Sequence, residues 1–349
     1  MTLAPPAGVA AEAFVVLDKV GKIFAPQISL AEELLAHLGA GLDRRVLHAV
    51  DGVDLTIAKG EALGLVGESG CGKSTLGRIL AGIHRASEGR VRIDGRPVTD
   101  AAGRKTTTRV QTVFQDPFAS LDPRMTVGET ISEGPIAHGF VERRAAQAHV
   151  AEWLLRVGLD PAFARRFPHQ FSGGQRQRVA IARALAMRPD VLVCDEPVAS
   201  LDVSIQAQIV NLFLKLRRDL GLTLLFISHD LGVVRHLCDR VAIMYLGRIV
   251  EVGTAAEVYG HPRHPYTRAL LDSVPRLRLD PDAAGGVSPI SGELPSPLAP
   301  PPGCHFHPRC PLAEARCRVE RPLLRRLADG RDVACHLATD APPHVPHGG

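Results

Sequence analysis

One stretch, Gly67-Glu68-Ser69-Gly70-Cys71-Gly72-Lys73-Ser74-Thr75, restricts this 349-residue chain more than any other. It follows the uninterrupted apolar run Ala62-Leu63-Gly64-Leu65-Val66. It precedes Leu76 to Ile83, where apolar residues recur at helical spacing. Strand, glycine loop and helix in that order is the setting in which G-x-x-x-x-G-K-[ST] cradles phosphate. The glycines let the backbone curl so that several N–H groups converge on one anion. The helix N-terminus adds partial positive charge, and Lys73 adds a full one. Ser74 offers a hydroxyl to the Mg2+ that accompanies a nucleoside triphosphate. A glycine-rich turn that happens to hold a lysine is the competing reading. Glycines are common here, with 33 in the chain, so the decision rests on the flanking strand and helix, and both are present. A nucleotide site follows; its purpose does not.

Bulk properties narrow that purpose. The length allows one large or two modest domains around a substantial core. No run approaches the roughly 18 apolar residues of a membrane span. Met1 to Ala11 lacks the charged start and apolar stretch of a secretion signal, so the expectation is a cytosolic protein able to dock on something in a membrane. A net charge of +4 is too small to imply nucleic acid. Arg143-Arg144 and Arg217-Arg218 read as solvated helix faces.

Along the chain, residues 1–12 read as a flexible N-terminus. Phe14 to Leu17 and Val46 to Ile57 hold strands, with a short inserted helix expected over Ile28 to Leu42. After the phosphate loop come strands at 91–93 and Val110 to Phe114. The block from about 126 to 172 has helical spacing and no strong strand signal, so it reads as a helical subdomain inserted between two strands. Strands at Val191 to Cys194 and Leu222 to Ile227 alternate with helices opening near Gln175, Ile205 and Asp230. A hairpin turns at Leu246-Gly247. This alternation predicts an α/β fold with a parallel sheet over residues 13–273. Residues 274–303 are Pro/Gly-rich and read as a linker, 304–338 carry four cysteines, and 339–349 read as a disordered tail.

Asp195-Glu196, at the end of an apolar strand, supplies the second half of a triphosphate site. Asp195 is positioned to hold magnesium, and Glu196 to polarise an attacking water. The alternative is an acidic strand end capping the next helix. Gln115, at another strand end, is placed to sense metal and water. His229 is placed for the γ-phosphate, although a lone histidine is more often structural. Ser200-Leu201-Asp202 is an ordinary helix N-cap unless a partner lies opposite. Ser172-Gly173-Gly174-Gln175 opens a helix and makes a second anion-binding terminus in a chain that already has one.

In this order the segments resemble the ATP-binding-cassette ATPases. The resemblance implies a P-loop cassette with an inserted helical subdomain, working as a head-to-tail pair. It implies that Ser172 to Gln175 serve the ATP held on a facing subunit's loop, and that Asp202 lies at that interface. Gly67, Ser69, Gly70, Cys71, Gly72, Lys73, Ser74 and Thr75 would hold this chain's own ATP. Ser74, Gln115 and Asp195 would hold its magnesium, and Glu196 and His229 would act on the water and the γ-phosphate. The family also stacks adenine on an aromatic residue upstream, for which Phe24 is the candidate.

A closer resemblance lies at the C-terminus. His264-Pro265-Tyr266-Thr267-Arg268, Gly292-Glu293-Leu294-Pro295-Ser296-Pro297 and Gly303-Cys304-His305-Phe306-His307-Pro308-Arg309-Cys310-Pro311 look like the ATPase subunits of oligopeptide, dipeptide and nickel importers. The implied partners are a second, paralogous ATPase subunit, two membrane permease subunits and, indirectly, an extracytoplasmic peptide-binding protein. The implied location is the cytoplasmic face of the inner membrane. Nickel, glutathione or another small solute is the alternative cargo, and a non-transport cassette ATPase the more distant one.

Cys71, Cys194 and Cys238 are isolated and read as buried free thiols. Cys304, Cys310, Cys317 and Cys335 do not have the spacing of a Cys-x-x-Cys zinc knuckle. A [4Fe–4S] cluster, which the resemblance implies, zinc, and plain packing thiols all remain open on the residues alone.

Overall fold

The strand before the phosphate loop lies at the centre of the molecule, and everything else is layered around it. The computed structural model describes residues 13–25, 46–273 and 292–339. The expected helix at Ile28 to Leu42, the N-terminus to residue 12, most of the linker (274–291) and the tail from 340 lie outside the described residues.

The strands are β1 (Ala13–Phe24), β2 (Leu47–Ala58), β3 (Ala62–Val66), β4 (Glu88–Ile93), β5 (Arg96–Pro97) and β6 (Val110–Val113). They continue with β7 (Val191–Asp195), β8 (Thr223–Ile227), β9 (Arg240–Tyr245), β10 (Arg248–Thr254), β11 (Arg325–Arg326) and β12 (Asp332–Val333). One sheet has the order β11-β12-β10-β9-β3-β8-β7-β6. Within it, β6, β7, β8, β3 and β9 run parallel. A second sheet, β2-β1-β4-β5, is antiparallel throughout. Alternation of strands with helices predicts the first sheet and gives no hint of the second. The second is built by β1 pairing antiparallel with β2 on one side and with the returning β4 on the other.

Every residue of β3, β7 and β8 is buried, as expected for parallel strands covered on both faces. Side chains alternate between two cores. Leu63, Leu65, Val193, Leu225 and Ile227 face the helix Lys73–Leu80 and the antiparallel sheet. Val66, Leu192, Cys194, Leu224 and Phe226 face the opposite core, which also contains Trp153, Phe171 and Phe213. Each fully buried aliphatic side chain contributes about 1.5–3 kcal/mol, so this central layer gives a site a well-packed platform.

The inserted block is helical. Helices Val127–Ala137, Ala146–Arg156 and Gly173–Ala186 are joined by connections that contain single 3-10 turns at Arg143–Ala145, Pro161–Arg165 and Pro168–Gln170. The first opens on a capping box between Thr126 and Glu129, which satisfies two otherwise orphaned N–H groups.

The cysteine-bearing segment packs onto the same body. Val333 pairs with Glu251, so β12 and β11 continue the large sheet beyond β10. Phe306 is buried against Tyr245 and Tyr266, with ring centroids 5.3 and 5.4 Å away.

Candidate nucleotide site

Four functional segments reach the same end of the central sheet because they leave neighbouring parallel strands. The phosphate loop follows β3, Gln115 follows β6, Asp195-Glu196 ends β7, and His229 follows β8.

The loop closes on its own lysine. Lys73 is buried, and its Nζ donates to the carbonyls of Gly67 (2.8 Å) and Glu68 (2.9 Å). The ammonium is thus held inside the loop by two backbone carbonyls. Gly72 has φ of +107°, and a Cβ there would lie 2.1 Å from the carbonyl oxygen of Ala49, so only glycine fits. The loop is tied to the hairpin between β9 and β10 by Gly247 N–H donating to the Cys71 carbonyl at 2.9 Å.

Ser74 Oγ donates to Asp195 Oδ1 at 2.7 Å, across 121 residues. Burial raises the Asp195 carboxyl above its ordinary pKa, and the Ser74 hydrogen bond opposes part of that rise. A hydroxyl beside a carboxylate at a strand end is an oxygen pair suited to a small, hard cation. The next residue turns the other way. Glu196 has φ of +47°, a left-handed conformation that costs a side-chain-bearing residue roughly 1–2 kcal/mol. The turn sends its carboxylate toward Gln115 and His229: Gln115 Nε2 donates to Glu196 Oε2 at 3.4 Å, and His229 Nδ1 lies 3.2 Å from the same oxygen. Adjacent residues at one strand end thus serve two different groups.

A scan of family models matches the ABC transporter model at residues 50–199 and the oligopeptide/dipeptide transporter C-terminal region at 250–317. The oligopeptide transport ATP-binding protein AppF of Bacillus subtilis is 49% identical over 293 residues, covering 83% of this chain and 89% of that one. The oligopeptide transport ATP-binding protein OppF of Salmonella typhimurium is 50% identical over 285 residues, covering 80% and 85%. The chain belongs to the ABC transporter ATPases. Its fold resembles the dimeric, post-hydrolysis ATP-binding cassette MJ0796 bound to ADP and Pi, with a TM-score of 0.57 at 29% identity. That match covers 69% of this chain and 98% of that one.

The remaining expected site residues of the cassette occupy other surfaces. Ser172 caps the helix Gly173–Ala186 in a capping box with Gln175, and Ser172 and Gly173 are exposed. Gly174 is buried where a Cβ would come 2.6 Å from Cγ2 of Ile205. Asp202 sits at the N-cap of helix Val203–Leu220, yet its side chain makes no capping bond and is exposed. Phe24 pairs with Leu47 at the end of β1, its ring edge-on to His84 and 4.9 Å from the Lys22 ammonium. Cys71, Cys194 and Cys238 are buried and free.

Among the described residues, no group of three or more His, Cys, Asp or Glu converges to hold a metal ion. The four C-terminal thiols are free, and every pair among them lies within electrostatic reach. Burial pushes Cys304 up to about 11 and also raises Cys310 and Cys335, so these three are neutral thiols at neutral pH. Neutral thiols pack as small apolar groups. Cys304 and Cys310 rest against the larger core, and Cys335 against Leu327, Val333 and Ala338.

Sequence reading missed a set of residues that touch the phosphate loop from the C-terminal side. Glu68 N–H donates to Tyr266 Oη at 2.9 Å, and Arg309 grips the Glu68 carboxylate at 2.8 and 3.2 Å. Tyr266 and Arg309 lie inside motifs visible in the sequence. Nothing in those motifs says what they face.

Proposed function

We propose that this chain hydrolyses ATP to power import of peptides through a membrane permease, as one of two cassettes closed over two nucleotides. The observation that carries the reading is the convergence of Lys73, the Ser74–Asp195 pair and Glu196 at one sheet end. The names of its relatives AppF and OppF support the cargo. Residues 67–75 bind the phosphates, and Lys73 exchanges its loop carbonyls for phosphate oxygens. Ser74, Asp195 and Gln115 would hold magnesium, which would supply charge neutralisation at the triphosphate. Glu196 takes the proton of the attacking water as its oxygen bonds the γ-phosphorus and the bond to ADP breaks. Gln115 and His229 keep the Glu196 carboxylate aimed. Ser172 to Gln175 and Asp202 serve the facing subunit, which is a paralogue of this chain. Phe24 stacks the adenine once its ring leaves His84.

A permease helix docks in the groove of about 720 Å3 between β6 and the inserted helices, lined by Gln111, Phe114, Glu133, His138 and Met187. No helix among the described residues is long and apolar enough to cross a membrane. On this reading the cassette sits peripherally on its permease at the cytoplasmic face of the inner membrane, and an extracytoplasmic binding protein delivers the peptide. Drawn together and deprotonated, the four C-terminal thiols would supply the donor set an iron–sulfur centre uses, and [4Fe–4S] is the proposed occupant ahead of zinc. Protein purified without oxygen should be brown, with iron and sulfide in equal amounts. Colourless protein with stoichiometric zinc overturns that assignment. The transport reading is tested by disrupting the gene and following labelled solutes. Loss of peptide uptake is expected, and unchanged peptide uptake with loss of another solute refutes it.

A further inference from the structure

We propose that Arg309, carried by the C-terminal segment, is a positioning residue for the phosphate loop. It neutralises an acidic side chain that would otherwise oppose nucleotide binding. The inference rests on reading residues 67–75 as the nucleotide site.

Glu68 is the second residue of that loop. Its carboxylate stands beside a place that must accept a polyphosphate, and an uncompensated negative charge there repels the ligand. Arg309 answers it with a two-pronged ion pair, Nη1 to Oε2 at 2.8 Å and Nη2 to Oε1 at 3.2 Å. The Arg309 side chain is 6% exposed and that of Glu68 21%, so water screens the pair poorly. Such forked, charge-assisted contacts are the strong class of hydrogen bond. The other polar atoms of Glu68 are also held: its N–H by Tyr266 Oη, and its carbonyl by Lys73 Nζ at 2.9 Å and Cys71 N–H at 3.3 Å. The partners themselves are linked, since Arg309 Nη1 reaches Tyr245 Oη at 3.4 Å and the two tyrosine rings lie 4.6 Å apart.

Arg309 is delivered by the tight turn His307–Arg309, where its N–H donates to the Phe306 carbonyl at 3.0 Å. The turn lies between Cys304 and Cys310, and Phe306 anchors it in the core. A segment 241 residues away in the chain therefore sets the charge and backbone of the nucleotide loop.

The test is equilibrium binding of MgADP to the full chain by calorimetry. Arg309→Ala should weaken binding about tenfold, and Arg309→Lys, which keeps charge but not the fork, by several-fold. Arg309→Ala combined with Glu68→Gln should bind within about threefold of Glu68→Gln alone, because the repelling charge is gone. General loosening of the fold would not be rescued in this way. Binding by Arg309→Ala or Arg309→Lys as tight as wild type overturns the proposal, as does a double variant no better than Arg309→Ala. Lys73→Ala separates the two readings. If the wild-type chain and Lys73→Ala bind alike, the nucleotide assignment of the loop itself fails.

Discussion

At the scale of single residues, the informative contrast is between Asp195 and Glu196. They are neighbours with the same charge, yet the left-handed turn at Glu196 gives them separate partners. Glu196→Gln keeps the size of the side chain and one oxygen for Gln115 and His229 while removing the proposed proton acceptor. Turnover should fall at least about a hundredfold with ATP affinity kept, as read from phosphate release and nucleotide binding. Lys73→Ala should behave oppositely and weaken binding, since it deletes the charge proposed to lie against the phosphates. Gln115 and His229 were legible as candidates from their strand-end positions. That they meet on one Glu196 oxygen was not, because pairing across strands leaves no mark on local sequence.

At the scale of elements, the helix Gly173–Ala186 shows how tightly a surface motif is tied to packing. Ser172 and Gly173 face solvent while Gly174 is pressed against Ile205 of the next helix. Gly174→Ala needs the two helices to part, so it should cost about 1–3 kcal/mol in urea unfolding. Elements with a strong period were legible: the buried strands β3, β7 and β8, and the helices around Val150, Gln175 and Ile209. The antiparallel sheet was not, because residue alternation says that a strand has two unlike faces without naming its neighbours.

At the scale of the whole molecule, the C-terminal segment is joined to the cassette through Phe306, β12 and the Glu68–Arg309 pair. His264 belongs to this seam. Its Nδ1 accepts from Tyr266 N–H at 3.0 Å, which requires a neutral ring, and burial lowers its pKa to about 3. The unfolded chain takes up a proton near 6.5 that the folded chain resists, so this contribution is whole above pH 6.5 and is lost as pH falls toward 3. The urea midpoint should therefore drop between pH 7 and pH 5, and His264→Gln should flatten that drop. Assembly makes a further prediction. If Ser172 to Gln175 serve a facing cassette, as proposed, ATPase activity per molecule should rise with protein concentration or with added partner subunit, and a flat response would count against shared sites.

The sequence alone determined the phosphate loop, because a glycine cradle, a lysine and a helix start are local and consecutive. It also determined the apolar strands whose ends carry Gln115, Asp195, Glu196 and His229. Only the tertiary structure decided which of those side chains meet, and that Tyr266 and Arg309 hold the loop from the far end of the chain. The physical reason is range. Backbone conformation and burial period are set by near neighbours, whereas an ion pair across 241 residues exists only once two surfaces have packed.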